Sequence, residues 1–119
     1  MNQTDKQIEG TQGEKLAAEY LTRQGLKLIE KNYRCRFGEI DLIFNQGRCL
    51  IFVEVRVRSN PNFGGAASSI DQRKQEKLIR TAKYYLSQSG DKQELPCRFD
   101  VVLLNHRSEI EWIKNAFSE

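Results

Sequence analysis

Two acids stand in runs that should be apolar. Glu54 lies mid-way along residues 49–57, a strongly β-prone stretch, and Asp41 lies between Ile40 and Leu42. Burying a lone carboxylate is expensive, so each needs a partner, a metal ion or an opening to solvent. If the hairpin closes at Gln46-Gly47, residue 45 pairs with 48 and Asp41 with Phe52. Asp41 and Glu54 then share a face as diagonal neighbours, about 7–8 Å apart at Cα, a gap that two side chains can bridge through one ion. Glu39 faces Glu54 directly, and opposed carboxylates repel unless a cation sits between them. A slip of one residue destroys the arrangement.

A third acid comes from an early helical stretch. At about 100° per residue, Glu14 falls between Leu21 and Ala18 inside the apolar arc, and Glu19 falls on the wet side. Three converging carboxylates are hard oxygen ligands of the kind Mg²⁺ or Mn²⁺ prefers, while the ion keeps several waters and binds substrate phosphates. Lys74 and Gln75 lie on the stripe that carries Leu78, Ala82 and Tyr85, one turn before it becomes apolar. Lys74 can hold a phosphate there or extend to water. The alternative for the acids is salt bridging, Glu54 with Arg56 and Asp41 with a nearby arginine.

These residues need elements to hold them. Residues 1–10 read as a polar, frayed tail, followed by a single domain over 11–119. Leu16, Ala17, Tyr20 and Leu21 predict a helix over 11–24, stopped by Gly25. Residues 26–33 read as a strand, and 39–44 and 49–57 as a hairpin across Asn45-Gln46-Gly47-Arg48. Pro61, Gly64 and Gly65 mark a loop, and Ser69 with Gln72 resembles a capping box for a helix over 70–87. Strands over 99–104 and 110–113 follow. The 49–57 strand is apolar on both faces, so it is central and covered above and below. The class is therefore α/β or α+β, with a mixed sheet of about five strands flanked by helices.

The bulk composition excludes several classes. The 119 residues carry 39% apolar side chains, 6 Phe, 4 Tyr and 1 Trp, which argues against disorder. No apolar run approaches the roughly 18 residues that cross a bilayer, and the first residues lack an apolar signal region, so the expected compartment is the cytoplasm. Cys35, Cys49 and Cys97 are widely spaced and His106 stands alone, which is no zinc pattern. Nineteen basic against sixteen acidic residues give +3, a weak lean toward polyanions.

The segments Gly38-Glu39-Ile40-Asp41-Leu42-Ile43 and Phe52-Val53-Glu54-Val55-Arg56-Val57-Arg58 resemble the YraN family of small bacterial proteins. The likeness continues through Gly13-Glu14, Ala17-Ala18, Tyr20-Leu21, Asn32-Tyr33-Arg34, Phe63-Gly64, Lys74, Ala82 and Tyr85-Leu86. It ends with Arg98-Phe99-Asp100-Val101-Val102 and Asn115-Ala116-Phe117, so it spans nearly the whole chain. That family resembles the restriction-endonuclease-like superfamily, and within it the archaeal Holliday-junction resolvases. The resemblance implies a mixed central sheet flanked by helices and a site made of a helix Glu, an Asp and a Glu-x-Lys. Here these are Glu14, Asp41 and Glu54, with Arg56 in the lysine position.

The chemistry so implied is Mg²⁺- or Mn²⁺-assisted phosphodiester hydrolysis, with DNA as substrate. Arginine stays protonated, so Arg56 can donate to a phosphate but cannot serve as the base. Lys74 is a candidate to stand in for the missing lysine. Two functions follow, a metal-dependent endonuclease and a binding module that has lost catalysis. The basic residues Arg34, Arg36, Arg48, Arg58, Arg73 and Lys77 serve either. A third option is a partner-binding domain on a nuclease fold. Residues 110–113 are a candidate edge for homodimer pairing, with Trp112 read as a core or hairpin residue.

Overall fold

Strands that are apolar on both faces need cover on both sides, and two helices supply it. The computed structural model describes residues 2–58, 70–90, 94–105 and 107–118, excepting the side chains of residues 2–11 and of Arg58. The elements are α1 (Asn2–Arg23), β1 (Lys27–Cys35), β2 (Gly38–Gln46), β3 (Cys49–Arg58), α2 (Gln72–Gln88), β4 (Cys97–Asn105) and β5 (Ile110–Phe117). The five strands lie in chain order in one sheet. Neighbours are antiparallel except β3 and β4, which are parallel. A parallel pair needs a long crossover, and α2 lies within it. The α/β class with a five-stranded mixed sheet and flanking helices is borne out.

The helices take opposite faces. Leu78, Ala82 and Tyr85 of α2 pack with Ile40, Ile43, Phe52, Phe99, Val101 and Leu103. Ala17, Ala18 and Leu21 of α1 pack with Leu42, Phe44, Ile51, Val53, Val102 and Leu104. Both layers exclude water, since Leu21, Ile43, Phe44 and Ile51 are each 0% exposed. Truncating such a residue costs about 2–5 kcal/mol. Gly13 lets α1 lie directly on β3, because a Cβ there would come 2.6 Å from Val57 Cγ2. Among the described residues, no helix is long and apolar enough to cross a membrane.

Several expectations need correction. The first helix starts at Asn2, not at residue 11, so residues 2–10 are helical. Good helix formers such as Gln3, Lys6, Gln7 and Glu9 carry it back. The second helix is capped by Asp71, whose carboxylate accepts the Lys74 N–H at 2.8 Å. The expected cap, Ser69, lies outside the described residues, as do the loop markers Pro61, Gly64 and Gly65 and also His106. The hairpin register differs as well. Gln46 pairs with Cys49 and Leu42 with Val53, so the turn is Gly47-Arg48. Gly47, at φ 61°, takes the first central position of that turn. The shift is two residues, which preserves the faces but brings Asp41 level with Glu54 instead of diagonal to it. Glu39 is displaced with it and pairs with Arg34 of β1.

A buried polar clamp lies on the strand next to that hairpin, where Asp100 pairs with Val53. Asp100 of β4 is 1% exposed. Its carboxylate accepts from Arg98 Nε at 3.0 Å, Trp112 Nε1 at 2.9 Å and the Asn115 N–H at 2.9 Å. These bonds hold β5 against β4 where their pairing shifts between Phe99 and Val101, and they carry the strand past residue 113, where it was expected to end. Trp112 packs on the α1 face, as expected for a core residue.

Candidate active site

The central feature is a break in the pleat. Lys31 pairs with Leu42, and Leu42 faces α1. Tyr33 pairs with Ile40, and both face α2. Residues two apart in a regular strand share a face, so both strands change sides between these pairs. The change falls at Asn32, whose φ of 53° is left-handed, and at Asp41 level with it. Asparagine tolerates that conformation better than other non-glycine residues. Asp41 thereby leaves the regular ladder and turns to β3, where its Oδ2 accepts the Val55 N–H at 2.9 Å.

Glu54 meets it there. The residue is 7% exposed, and its carboxyl shares a hydrogen bond with that of Asp41. Burial, then the Asp41 charge, push the Glu54 pKa up to about 7. Burial also raises that of Asp41, although the Val55 N–H opposes the rise. Two cations answer the pair. Lys74 Nζ, from α2, lies 3.6 Å from Glu54 Oε2, and Arg56 Nε lies 3.5 Å from the same oxygen. Arg56 Nε is buried without a hydrogen bond, so at this atom the carboxylate is met by charge and not by a hydrogen bond.

Glu14 stands at the margin of this group. It is half-buried on α1 and accepts a hydrogen bond from the Asn32 side chain. Burial raises its pKa, and the charges of Asp41 and Glu39 raise it further. The three acids thus share one negative field. Among the described residues, however, no set of three His, Cys, Asp or Glu side chains is close enough to hold a metal ion. The structure brings Asp41, Glu54, Arg56 and Lys74 together, with Glu14 beside them rather than in contact.

The remaining candidates are spread around this centre. Arg34 pairs with Glu39 at 3.0 Å on the surface. Arg36 lies over the rings of Phe37 and Tyr84, at 4.9 and 5.9 Å. The Gln75 side chain donates to the Ile70 carbonyl at 3.0 Å and so secures the start of α2. The side chain of Arg58 lies outside the described residues. A cleft of about 380 Å³, lined by Arg34, Cys35, Gly38, Glu39, Lys74, Lys77 and Leu78, opens beside the carboxyl pair. A larger groove of about 620 Å³ runs between α1 and β1 past Glu14 and Asn32.

A family model described as an uncharacterised protein family, UPF0102, matches residues 13–104. The chain belongs to that family. The UPF0102 match spans every residue of the carboxyl centre and its two cations. A UPF0102 protein of Nitrosomonas europaea is 56% identical over 113 residues, covering 93% of this chain and 94% of the relative. One of Methylobacillus flagellatus is 54% identical over 111 residues, covering 92% and 96%. One of Legionella pneumophila is 46% identical over 112 residues, covering 93% and 95%. The YraN-like resemblance is thus borne out as UPF0102 membership.

Sequence reasoning missed Asn32, which breaks the pleat and binds Glu14, and the Val55 N–H that seats Asp41. An asparagine inside a predicted strand was the available signal for the first, since strands avoid it. Asp100 carried the same flag as Asp41, an acid among apolar neighbours. The structure separates them, because Asp100 is 1% exposed with both oxygens hydrogen-bonded, whereas Asp41 is only half-buried and lies against a second carboxyl.

Proposed function

We propose that this protein is a nucleic-acid-binding phosphodiesterase, a divalent-metal-dependent endonuclease acting on DNA in the cytoplasm. The observation that carries the reading is the pair Asp41 and Glu54, half-buried and buried side by side, with Arg56 and Lys74 against Glu54 and Lys74 also lining a basic cleft. Two adjacent carboxylates with raised pKa values are a donor set that hydrated Mg²⁺ or Mn²⁺ fits, because a cation between them removes their repulsion. Asp41 and Glu54 would hold it, with Glu14 adding negative field rather than a direct bond. Such an ion, when bound, polarises the phosphoryl group and acidifies a water.

The chain's own groups do the rest. The Val55 N–H fixes one oxygen of Asp41 and leaves the other toward Glu54. Lys74, on a helix and about a third exposed, can release Glu54 and move its ammonium onto a phosphate oxygen. Arg56 offers a second, permanently charged donor to the same phosphate but takes no proton. Catalysis therefore relies on charge stabilisation by these two cations.

The test is cleavage of supercoiled, single-stranded and four-way DNA with Mn²⁺, Mg²⁺ or EDTA. Wild type should cut only with metal, and Asp41→Asn and Glu54→Gln should abolish the cut. Equal cutting by those variants would sink the proposal. Arg56 in the lysine position supports a second reading, a binding module without hydrolysis. A gain of cleavage in Arg56→Lys, with none in wild type, would select it. Pairing of two copies along residues 110–113 of β5 would make a dimer, which sedimentation velocity checks.

A further inference from the structure

The tip of the β1–β2 hairpin carries a cluster that the carboxyl chemistry does not use. Phe37 and Tyr84 are half-buried and meet edge to face, with ring centroids 5.6 Å apart at 64°. The exposed Arg36 guanidinium carbon lies 4.9 Å from the Phe37 ring centroid and 5.9 Å from that of Tyr84, so the cation joins the ring cluster. This platform adjoins the 380 Å³ cleft directly, since Cys35 and Gly38, its chain neighbours, line that cleft. On α2, Lys74, Lys77 and Tyr84 fall on one side, over about 15 Å at 1.5 Å per residue. The line thus runs from aromatic rings, past cations, to the carboxyl pair.

We propose that this line binds an unpaired stretch of nucleic acid, a base stacking on the Arg36–Phe37–Tyr84 platform and its phosphates lying on Lys77 and Lys74. The physical reason is access. Bases in a duplex have both faces covered by their neighbours, whereas an unpaired base offers a face to an aromatic ring or a guanidinium plane. The cations supply a sequence-independent hold on the backbone. Glu39 lines the same cleft but is already matched by Arg34 at 3.0 Å. The inference deepens the phosphodiesterase reading by naming its substrate class as single-stranded or locally opened nucleic acid.

Binding of labelled oligo-dT, oligo-U and a blunt duplex of equal length, followed by fluorescence anisotropy in EDTA, tests it without any cleavage. The intact protein should hold at least one unpaired strand about tenfold more tightly than the duplex. Preference for oligo-dT or oligo-U identifies the strand as DNA or RNA. Phe37→Leu keeps apolar bulk but removes the ring, and should weaken that binding about tenfold, as loss of one stacked base does. Tyr84→Leu should act likewise, with urea midpoints confirming that both variants fold. Lys77→Ala should lower the salt slope by about 0.7, one released counterion on a single strand. Equal or tighter duplex binding, no binding at all, or wild-type affinity in both leucine variants would overturn the proposal. Metal-dependent cleavage could survive any of those results, so the two readings fail separately.

Discussion

Glu54→Gln should make this protein more stable in alkaline solution and leave it almost unchanged in acid. The wild-type carboxyl, 7% exposed, has its pKa pushed from 4.5 to about 7 by burial and by Asp41. At about 1.4 kcal/mol per pKa unit, that rise corresponds to about 3 kcal/mol. The folded state binds this proton more tightly than the unfolded chain does. Its stabilising contribution is therefore fully present below about pH 4.5 and is lost as pH rises through about 7. The attractions of Lys74 and Arg56 already lie within that figure, because both oppose the rise. Gln keeps the shape, stays neutral and can donate to Asp41. Urea unfolding of both proteins in EDTA between pH 5 and pH 8 measures the difference directly. The advantage of the variant should grow with pH, toward about 3 kcal/mol at pH 8. Subtracting the curves cancels the groups that do not interact with Glu54. A difference that stays constant with pH, or grows toward acid, would refute the buried-pair reasoning.

Millimolar Mn²⁺ at pH 8 should stabilise wild type by about 2.7 kcal/mol at a hundredfold excess over Kd, read as a raised calorimetric midpoint, and should leave the midpoint of Asp41→Asn unmoved. Asp100→Ala strands Arg98 and frees β5, so it should lose about 3–5 kcal/mol in urea and shift the emission of Trp112 as its indole loses the carboxylate. Gly13→Val drives a branched side chain into Val57 and should lose about 1–3 kcal/mol, whereas an exposed change such as Lys15→Gln should lose almost nothing.

The legible parts of the fold were those with local signals. The period of Leu16, Ala17, Tyr20 and Leu21 announces a helix, and the two apolar faces of Cys49–Arg58 announce a covered central strand. Glu54 was conspicuous because a carboxylate in such a strand has no cheap solution. Less local features misled. The turn was expected at Gln46-Gly47, yet either of two adjacent pairs containing Gly47 suits a two-residue hairpin turn. The choice depends on which cross-strand contacts pack best along all of β2 and β3. The start of α1 was missed because residues 2–10 lack an apolar stripe, so pattern alone did not extend the helix.

The sequence by itself determined the element order, the mixed covered sheet and the presence of acids that apolar strands should not contain. Only the tertiary structure decided that Asp41 meets Glu54, that Lys74 reaches them from a helix twenty residues away in the chain, and that Asp100 is satisfied where it lies. The reason is physical. Periodicity and propensity act between residues a few positions apart. The left-handed turn at Asn32, the crossover through α2 and the desolvation of a carboxyl pair depend on surfaces that exist only once the sheet has closed against both helices.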